Sequence, residues 1–436
     1  MARPSYRLDD NLQAGHGTVF LTGIQALVRL PLMQSALDRA RGLTTAGFIS
    51  GYRGSPLGGL DQALWQARER LSEGRIEFLP AINEELGATA VLGSQQVEGD
   101  HQRTVEGVFA MWYGKGPGVD RAGDALKHGN AYGSSPHGGV LVVAGDDHGC
   151  VSSSMPHQSD LAMQSWSMPV VHPGNVAEYL EFGLYGWALS RFTGNWVGFK
   201  AISEVVESGM TVNLDLVRTD FRAPADFAPP AGGLHYRWPD LPSLTIEQRL
   251  AAKLDAVRAF AAANSIDRWI CATPAADLGI VTVGKAHFDF LEVLRRLGLS
   301  LAELEAAGIR VYKVGLVFPL EPTRIETLVA GLREVLVIEE KAPVVEQQIK
   351  TLLYNRSGAP VVIGKQTEDG RALLSALGEL RPSRIMPIFA EWLAAHKPEL
   401  DRRAHVRDFT APELLSNVAD AVRRVPYFCS GCPHNT

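Results

Sequence analysis

The sequence predicts an α/β protein built on parallel sheets, and three observations carry that prediction. Short apolar runs alternate with amphipathic helical stretches along most of the chain, the pattern of strands joined by crossover helices. Many of the 43 glycines fall in loops directly after apolar runs, where backbone can pack close to a ligand. A stretch rich in Pro and Gly, "RAPADFAPPAGGLHYRWPDLPSL", separates two such alternating units, as a linker would.

The elements follow in order. "TAGFIS" at 45–50 reads as a buried strand, followed by a glycine loop and the amphipathic helix "LDQALWQARERL" at 60–71. "IEFLPAI" at 76–82 is the next strand, and "EELGATAVLGSQQVE" the next helix, with Asn83 as its N-cap. "VEGVFAMWYG" and "GGVLVVAG" continue the strand series. "VAEYLEFGLYGWALSRF" reads as a helix and "NWVGFKAI" as a strand. The second unit brings "LGIVTVGK", "IRVYKVG" and "EVLVIEEK" as strands, with "AHFDFLEVLRRLG" and "VVEQQIKTLLY" as helices. The expected organisation is a first domain at 1–221, a linker at 222–245, a second domain at 246–380 and a connector from 381 to 436.

Composition excludes some functions. The 436 residues are 46% hydrophobic and 21% charged, an ordinary globular balance with room for two or three domains. Net charge is -6 with no basic tract, so nucleic acid is not an expected partner. No apolar run reaches the roughly 18 residues of a membrane span, and "MARPSYRLDDNLQAGHG" lacks the apolar core of a signal peptide. A cytoplasmic protein is expected. Four cysteines do not suggest a disulfide framework. Cys150 and Cys271 read as ordinary reduced thiols.

Five stretches could carry chemistry. "SGYRGSPLGG" at 50–59 lies between a strand and a helix, at the edge where open α/β sheets bind ligands. It lacks the Gly-Lys-Ser/Thr ending of a phosphate loop, and a tight structural turn explains it equally well. "NEELGATAVLG" opens a helix with two acids, Glu84 and Glu85. Stabilisation of the helix dipole accounts for them, as does a carboxylic acid held against a heterocycle nitrogen. "WYGKGPGVDRAGDALKHGNAYGSSPHGG" offers Lys115, Arg121 and Lys127 to an acid group, or simply to solvent. "AGDDHGCVSSSMPHQSD" gathers Asp146, Asp147, His148 and His157, for which pairing, capping or substrate contact is favoured over a metal. Finally, "CSGCPH" sets Cys429 and Cys432 at ligand spacing for zinc or an iron–sulfur cluster.

Taken together, "FLTGIQALVRLPLMQ", "GFISGYRGSPLGG", "NEELGATAVLGSQQVEG", "MWYGKGPGVDRAGDALKHGN", "AGDDHG" and "SSSMPHQSD" resemble indolepyruvate ferredoxin oxidoreductase, a branch of the 2-oxoacid:ferredoxin oxidoreductases. The likeness is strongest to the long, fused bacterial form. It extends through "GIVTVGKAHFDFLEVL", "YKVGLVFPLEP" and "VIEEKAPVVEQQIKTLLY" to the final "CSGCPHNT".

The resemblance implies a doubly wound, thiamine-diphosphate-binding pyrimidine domain followed by a transketolase carboxyl-terminal-like domain. It implies oxidative decarboxylation of indolepyruvate or related aryl pyruvates to the acyl-CoA, with electrons passed to ferredoxin. The implied cofactors are thiamine diphosphate, Mg²⁺ and a [4Fe–4S] cluster. The glutamate that contacts the aminopyrimidine falls on Glu84, with Glu85 one slip away. Gly54 and Gly87 accompany these two as cofactor contacts. The family loop reads Tyr-Pro-Gly-Thr-Pro. Here "YRGSP" puts Ser55 at the threonine that meets the substrate and Arg53 in place of proline.

Cys429 and Cys432 match the first two cluster ligands, with the rest expected beyond Thr436. The chain is thus expected to be the front portion of a longer enzyme and inactive alone. Its expected partners are a 2-oxoacid, coenzyme A, ferredoxin, the missing domains or a partner subunit, and a second copy in a homodimer. The other expectation is a non-catalytic subunit that completes a thiamine site with another chain.

Overall fold

A computed structural model describes residues 6–237 and 243–409 of the protein. Its strands are β1 (Thr18–Thr22), β2 (Thr45–Gly51), β3 (Ile76–Phe78), β4 (Gly107–Lys115), β5 (Val140–Gly145), β6 (Val170–Val171) and β7 (Trp196–Lys200). They continue with β8 (Gly209–Asn213), β9 (Arg268–Cys271), β10 (Leu278–Val283), β11 (Ile309–Val314), β12 (Leu316–Phe318), β13 (Glu334–Ile338) and β14 (Val361–Ile363).

Two larger sheets result. The first has the order β12-β6-β7-β5-β4-β2-β3 and is parallel except at β12. The second has the order β14-β13-β10-β11-β9 and is parallel except at β9. β1 and β8 form a separate antiparallel pair. Every residue of β5, β7 and β10 is buried. That explains their unbroken apolar sequences, because helices cover both faces of a parallel sheet. The helix Gly23–Ala40 starts on a capping box formed by Thr22 and Gln25. The helix Val176–Thr193 starts on Asn175, whose side chain accepts from the Glu178 N–H.

The two sheets share material. β12 lies after the Pro/Gly-rich stretch in sequence yet hydrogen-bonds to the edge of the first sheet at β6. One apolar cluster joins Val142 and Trp196 of the first sheet to Val281, Tyr312 and Val337 of the second. Lys313 of β11 pairs with Glu178, both buried.

Several elements differ from the sequence reading. The strand at 76–82 is assigned only over Ile76–Phe78 because Pro80 has no N–H to donate. The ladder resumes around it, with Leu79 N–H donating to Ile49 and Ala81 N–H to Gly51. The helix at 60–71 is two helices, Leu60–Gln66 and Arg68–Glu73. The break lets Leu60, Leu64 and Leu71 all stay buried. Pro382–His396, within the stretch read as a connector, is a helix. Its Phe389 packs edge-on against Phe290, with ring centroids 5.1 Å apart. Among the described residues, no helix is long and apolar enough to cross a membrane.

Candidate active site at the carboxyl edge of the first sheet

The carboxyl ends of β2 and β4 and the start of the helix Glu84–Ser94 converge on one place. Asn83 is extended, and its Oδ1 accepts from the Leu86 N–H at 2.9 Å, which fixes where the helix begins. The Glu84 carbonyl accepts a 3.0 Å bond from the indole N–H of buried Trp112 on β4. Glu84 is therefore held at both backbone and cap, and only 3% of its surface is exposed. Glu85, one position later, is exposed.

Glycines make the room around this carboxyl. A Cβ on Gly118 would lie 2.7 Å from Glu84 Cγ and 2.9 Å from Oε1. A Cβ on Gly87 would lie 3.1 Å from Gly51 Cα, so the helix sits almost on the end of β2. The half-exposed Arg121 is the cation nearest the carboxyl, its Nε 3.9 Å from Oε2. Gly118→Ala should push the Glu84 carboxyl aside. Misplacement of a catalytic group by about 1 Å can cost ~10²-fold. With Glu84 in the catalytic role proposed below, turnover of the complete enzyme should fall by that order while its circular dichroism spectrum is unchanged. Full activity in the alanine variant would show that the cradle is not needed.

The loop after β2 is anchored by buried Leu57 and Leu60. Tyr113 of β4 donates to Asp61 Oδ1 at 2.6 Å, and burial and that carboxylate hold its hydroxyl well above the usual range. Within the loop, Ser55 accepts a 2.5 Å bond from the Ser152 hydroxyl. Arg53 is exposed. A Cβ on Gly54 would lie 2.8 Å from Cδ of Lys115, the last residue of β4. The structure thus brings together Glu84, Gly87, Gly118 and Arg121, and separately Gly54, Ser55, Ser152 and Lys115. Gly118 and Ser152 had no signal in the sequence beyond membership of glycine- and serine-rich stretches.

The residues of 146–157 disperse into structural roles. Asp146 accepts from the Ser159 N–H and hydroxyl at 2.9 and 2.6 Å. Asp147 accepts from the N–H groups of Val151 and Ser152, shaping the turn that presents Ser152 to Ser55. His148 Nδ1 lies 3.0 Å from Glu340 Oε2, both buried. Burial would raise the Glu340 carboxyl, but His148 and Lys285 hold it below the usual range. His157 lies 3.0 Å from Asp120. Among the described residues, no group of three or more such side chains is placed to hold a metal. Cys429, Cys432 and His434 lie outside the described residues.

Beside this network, burial and the neighbouring Glu379 push the Glu204 carboxyl up to about 8. A carboxyl raised above its ordinary 4.5 holds its proton in the folded state and loses it on unfolding. Stability from this group is therefore present at low pH and lost as pH rises toward 8. The melting temperature should fall less between pH 6 and 9 in Glu204→Gln than in the unaltered protein. Parallel pH profiles would remove the shift.

Residues 268–408 match the family described as Indolepyruvate oxidoreductase domain. The chain is 25% identical over 437 residues to the indolepyruvate oxidoreductase subunit IorA of Methanothermobacter marburgensis, covering 98% of this chain and 61% of that one. It is 26% identical over 313 residues to the IorA subunit of Pyrococcus abyssi, covering 68% of this chain and 43% of that one. The chain therefore spans about half of the length of these relatives. Among solved structures, the 2-oxoglutarate:ferredoxin oxidoreductase of Magnetococcus marinus is similar with a TM-score of 0.60 at 15% identity, covering 87% of this chain and 66% of that one. A split gene transketolase, an inactive beta4 tetramer, has a TM-score of 0.50 at 14% identity, covering 86% of this chain and 99% of that one. Residues 268–408 thus resemble an indolepyruvate oxidoreductase domain, the similarity to IorA subunits extends along as much as 98% of this chain, and the solved structures share its α/β fold.

Proposed function

We propose that the chain supplies the aminopyrimidine-binding side of a thiamine-diphosphate site in a 2-oxoacid oxidoreductase. Its substrates are indolepyruvate or related aryl pyruvates, its product is the acyl-CoA, and its electrons pass through a [4Fe–4S] cluster to ferredoxin. The observation that carries this is the buried Glu84 carboxyl in its glycine cradle. Thiamine diphosphate, when bound, supplies the carbon nucleophile and the electron sink for decarboxylation.

The residues fit the pyrimidine end of that cofactor. A flat heterocycle needs backbone close by on one side and one acid at its edge. Gly118, Gly87 and Gly51 provide the first and Glu84 the second. Glu84 holds or donates a proton at its carboxyl oxygen, where a ring nitrogen accepts it. The helix cap and the Trp112 bond fix the backbone from which that carboxyl projects. Ser55 and Arg53 line the loop on which the substrate is expected.

The described residues gather no Mg²⁺ ligands, so in this reading the diphosphate end is held by other parts of the enzyme or by a partner subunit. The named relatives are themselves subunits, which supports a partner. This chain alone is accordingly expected to be inactive. The test is coenzyme-A-dependent reduction of ferredoxin by the complete enzyme with a panel of 2-oxoacids. Aryl pyruvates should be preferred. A complete enzyme that turns over only aliphatic 2-oxoacids would overturn the substrate assignment, and one that needs no thiamine would overturn the site.

A further inference from the structure

Four lysines are buried among the described residues: Lys115, Lys200, Lys253 and Lys313. Three have partners. Lys200 donates to Asp160 at 2.8 Å, Lys253 donates to the Asn130 carbonyl at 2.8 Å, and Lys313 pairs with Glu178. Lys115 leaves 8% of its surface exposed, and its side chain has neither a hydrogen bond nor an ion pair among the described residues.

Its stem is buried while its ammonium reaches solvent with no counter-charge, which leaves that ammonium available to an anion. Its surroundings point the same way. Lys115 ends β4, the strand that abuts β2 at the candidate site. Its stem crosses Gly54, with Cγ and Cδ 3.1 and 2.8 Å from where a Cβ would stand. Ser55 follows Gly54 directly and shares a hydroxyl contact with Ser152. His157 closes over the next residue, with its ring 2.3 Å from a Cβ placed on Gly116. An ammonium and two hydroxyls beside one glycine loop are donors suited to a single carboxylate.

We infer that Lys115 is the residue that binds the carboxylate of the 2-oxoacid. This rests on the site proposed above. Gly54 is then required for a second reason: any side chain there would displace the lysine stem. The assignment also separates the roles of the two charged groups. Glu84 serves the ring, and Lys115 serves the substrate's negative end.

The test compares two inert probes on the complete enzyme. Indole-3-propionate carries the carboxylate but no oxo group, and its amide is neutral and of the same shape. The unaltered enzyme should bind the acid at least 10-fold more tightly than the amide. In Lys115→Met the acid should lose about 10- to 100-fold, the range for a hydrogen bond to a charged group, while the amide is unchanged. Lys115→Arg should keep most of the preference, and Gly54→Ala should lose part of it. Circular dichroism checks the fold of each variant. Unchanged acid binding in Lys115→Met, or equal loss of acid and amide, overturns the assignment even while aryl pyruvates are still turned over. An unaltered enzyme that neither binds the acid nor oxidises any aryl pyruvate overturns the site itself, and this inference with it.

Discussion

Glu84→Gln in the complete enzyme should lower turnover of aryl pyruvates by about 10²- to 10⁴-fold, the usual contribution of a positioned general acid or base. Gln keeps the shape and the helix start but cannot give up or take a proton. The Asn83 cap and the Trp112 bond use side chains and backbone that the substitution leaves alone, so folding should be unaffected. Thiamine content, measured on the purified enzyme, should stay near that of the unaltered protein, because Gln still hydrogen-bonds. Glu85→Gln is the internal control, since Glu85 faces solvent and should leave turnover within about twofold. Unchanged turnover in Glu84→Gln would remove the central role given to this residue. Equal losses from both substitutions would show that burial does not distinguish them.

The largest effect on stability should come from Asp38→Ala. Asp38 is fully buried on the helix Gly23–Ala40. Its two oxygens take both terminal nitrogens of Arg191 at 2.7 Å, a bidentate pair. They also accept from Gln34 at 2.8 Å and from the Thr45 hydroxyl at 2.7 Å. One carboxylate thus ties two long helices to the start of β2. Removing it leaves the Arg191 guanidinium mostly buried without its counter-charge, which typically costs about 3–5 kcal/mol. The denaturant midpoint should fall accordingly. Arg191→Met combined with Asp38→Ala should recover part of the loss, because the stranded charge is gone. A midpoint that moves by less than ~1 kcal/mol in the single variant would show that water reaches the pair.

The strands most legible in the sequence were those buried on both faces. β5 and β7 read as continuous apolar runs because no residue in either meets solvent. Asn83 was legible because its cap is a local interaction. β9 and β14 were not, being short edge strands of four and three residues whose existence depends on a neighbour. The choice between Glu84 and Glu85 could not be made from periodicity in so short a stretch. It is the indole of Trp112, 28 positions away, that ties down the Glu84 backbone. The isolation of Lys115 is likewise a three-dimensional property. In sequence it was one of three cations in a glycine-rich stretch, and only the fold shows that Lys115 is mostly buried without an ion pair while Lys127 is exposed and Arg121 lies beside Glu84. The acidic and histidine-rich stretch at 146–157 illustrates the opposite case, where suggestive composition resolved into caps and ion pairs.

The placement of β12 bears on how such a protein can be recombined. Crossing over within the Pro/Gly-rich stretch at 222–244 would be the obvious junction for a chimaera of two relatives. It would take β12 from one parent and its partner β6 from the other. The same cut would divide the shared apolar cluster and the buried Glu178–Lys313 pair between parents. The halves are therefore not interchangeable cassettes. Functional hybrids should require both sheets to come from one parent, since a junction moved to follow Phe318 would instead divide the β10–β13 ladder.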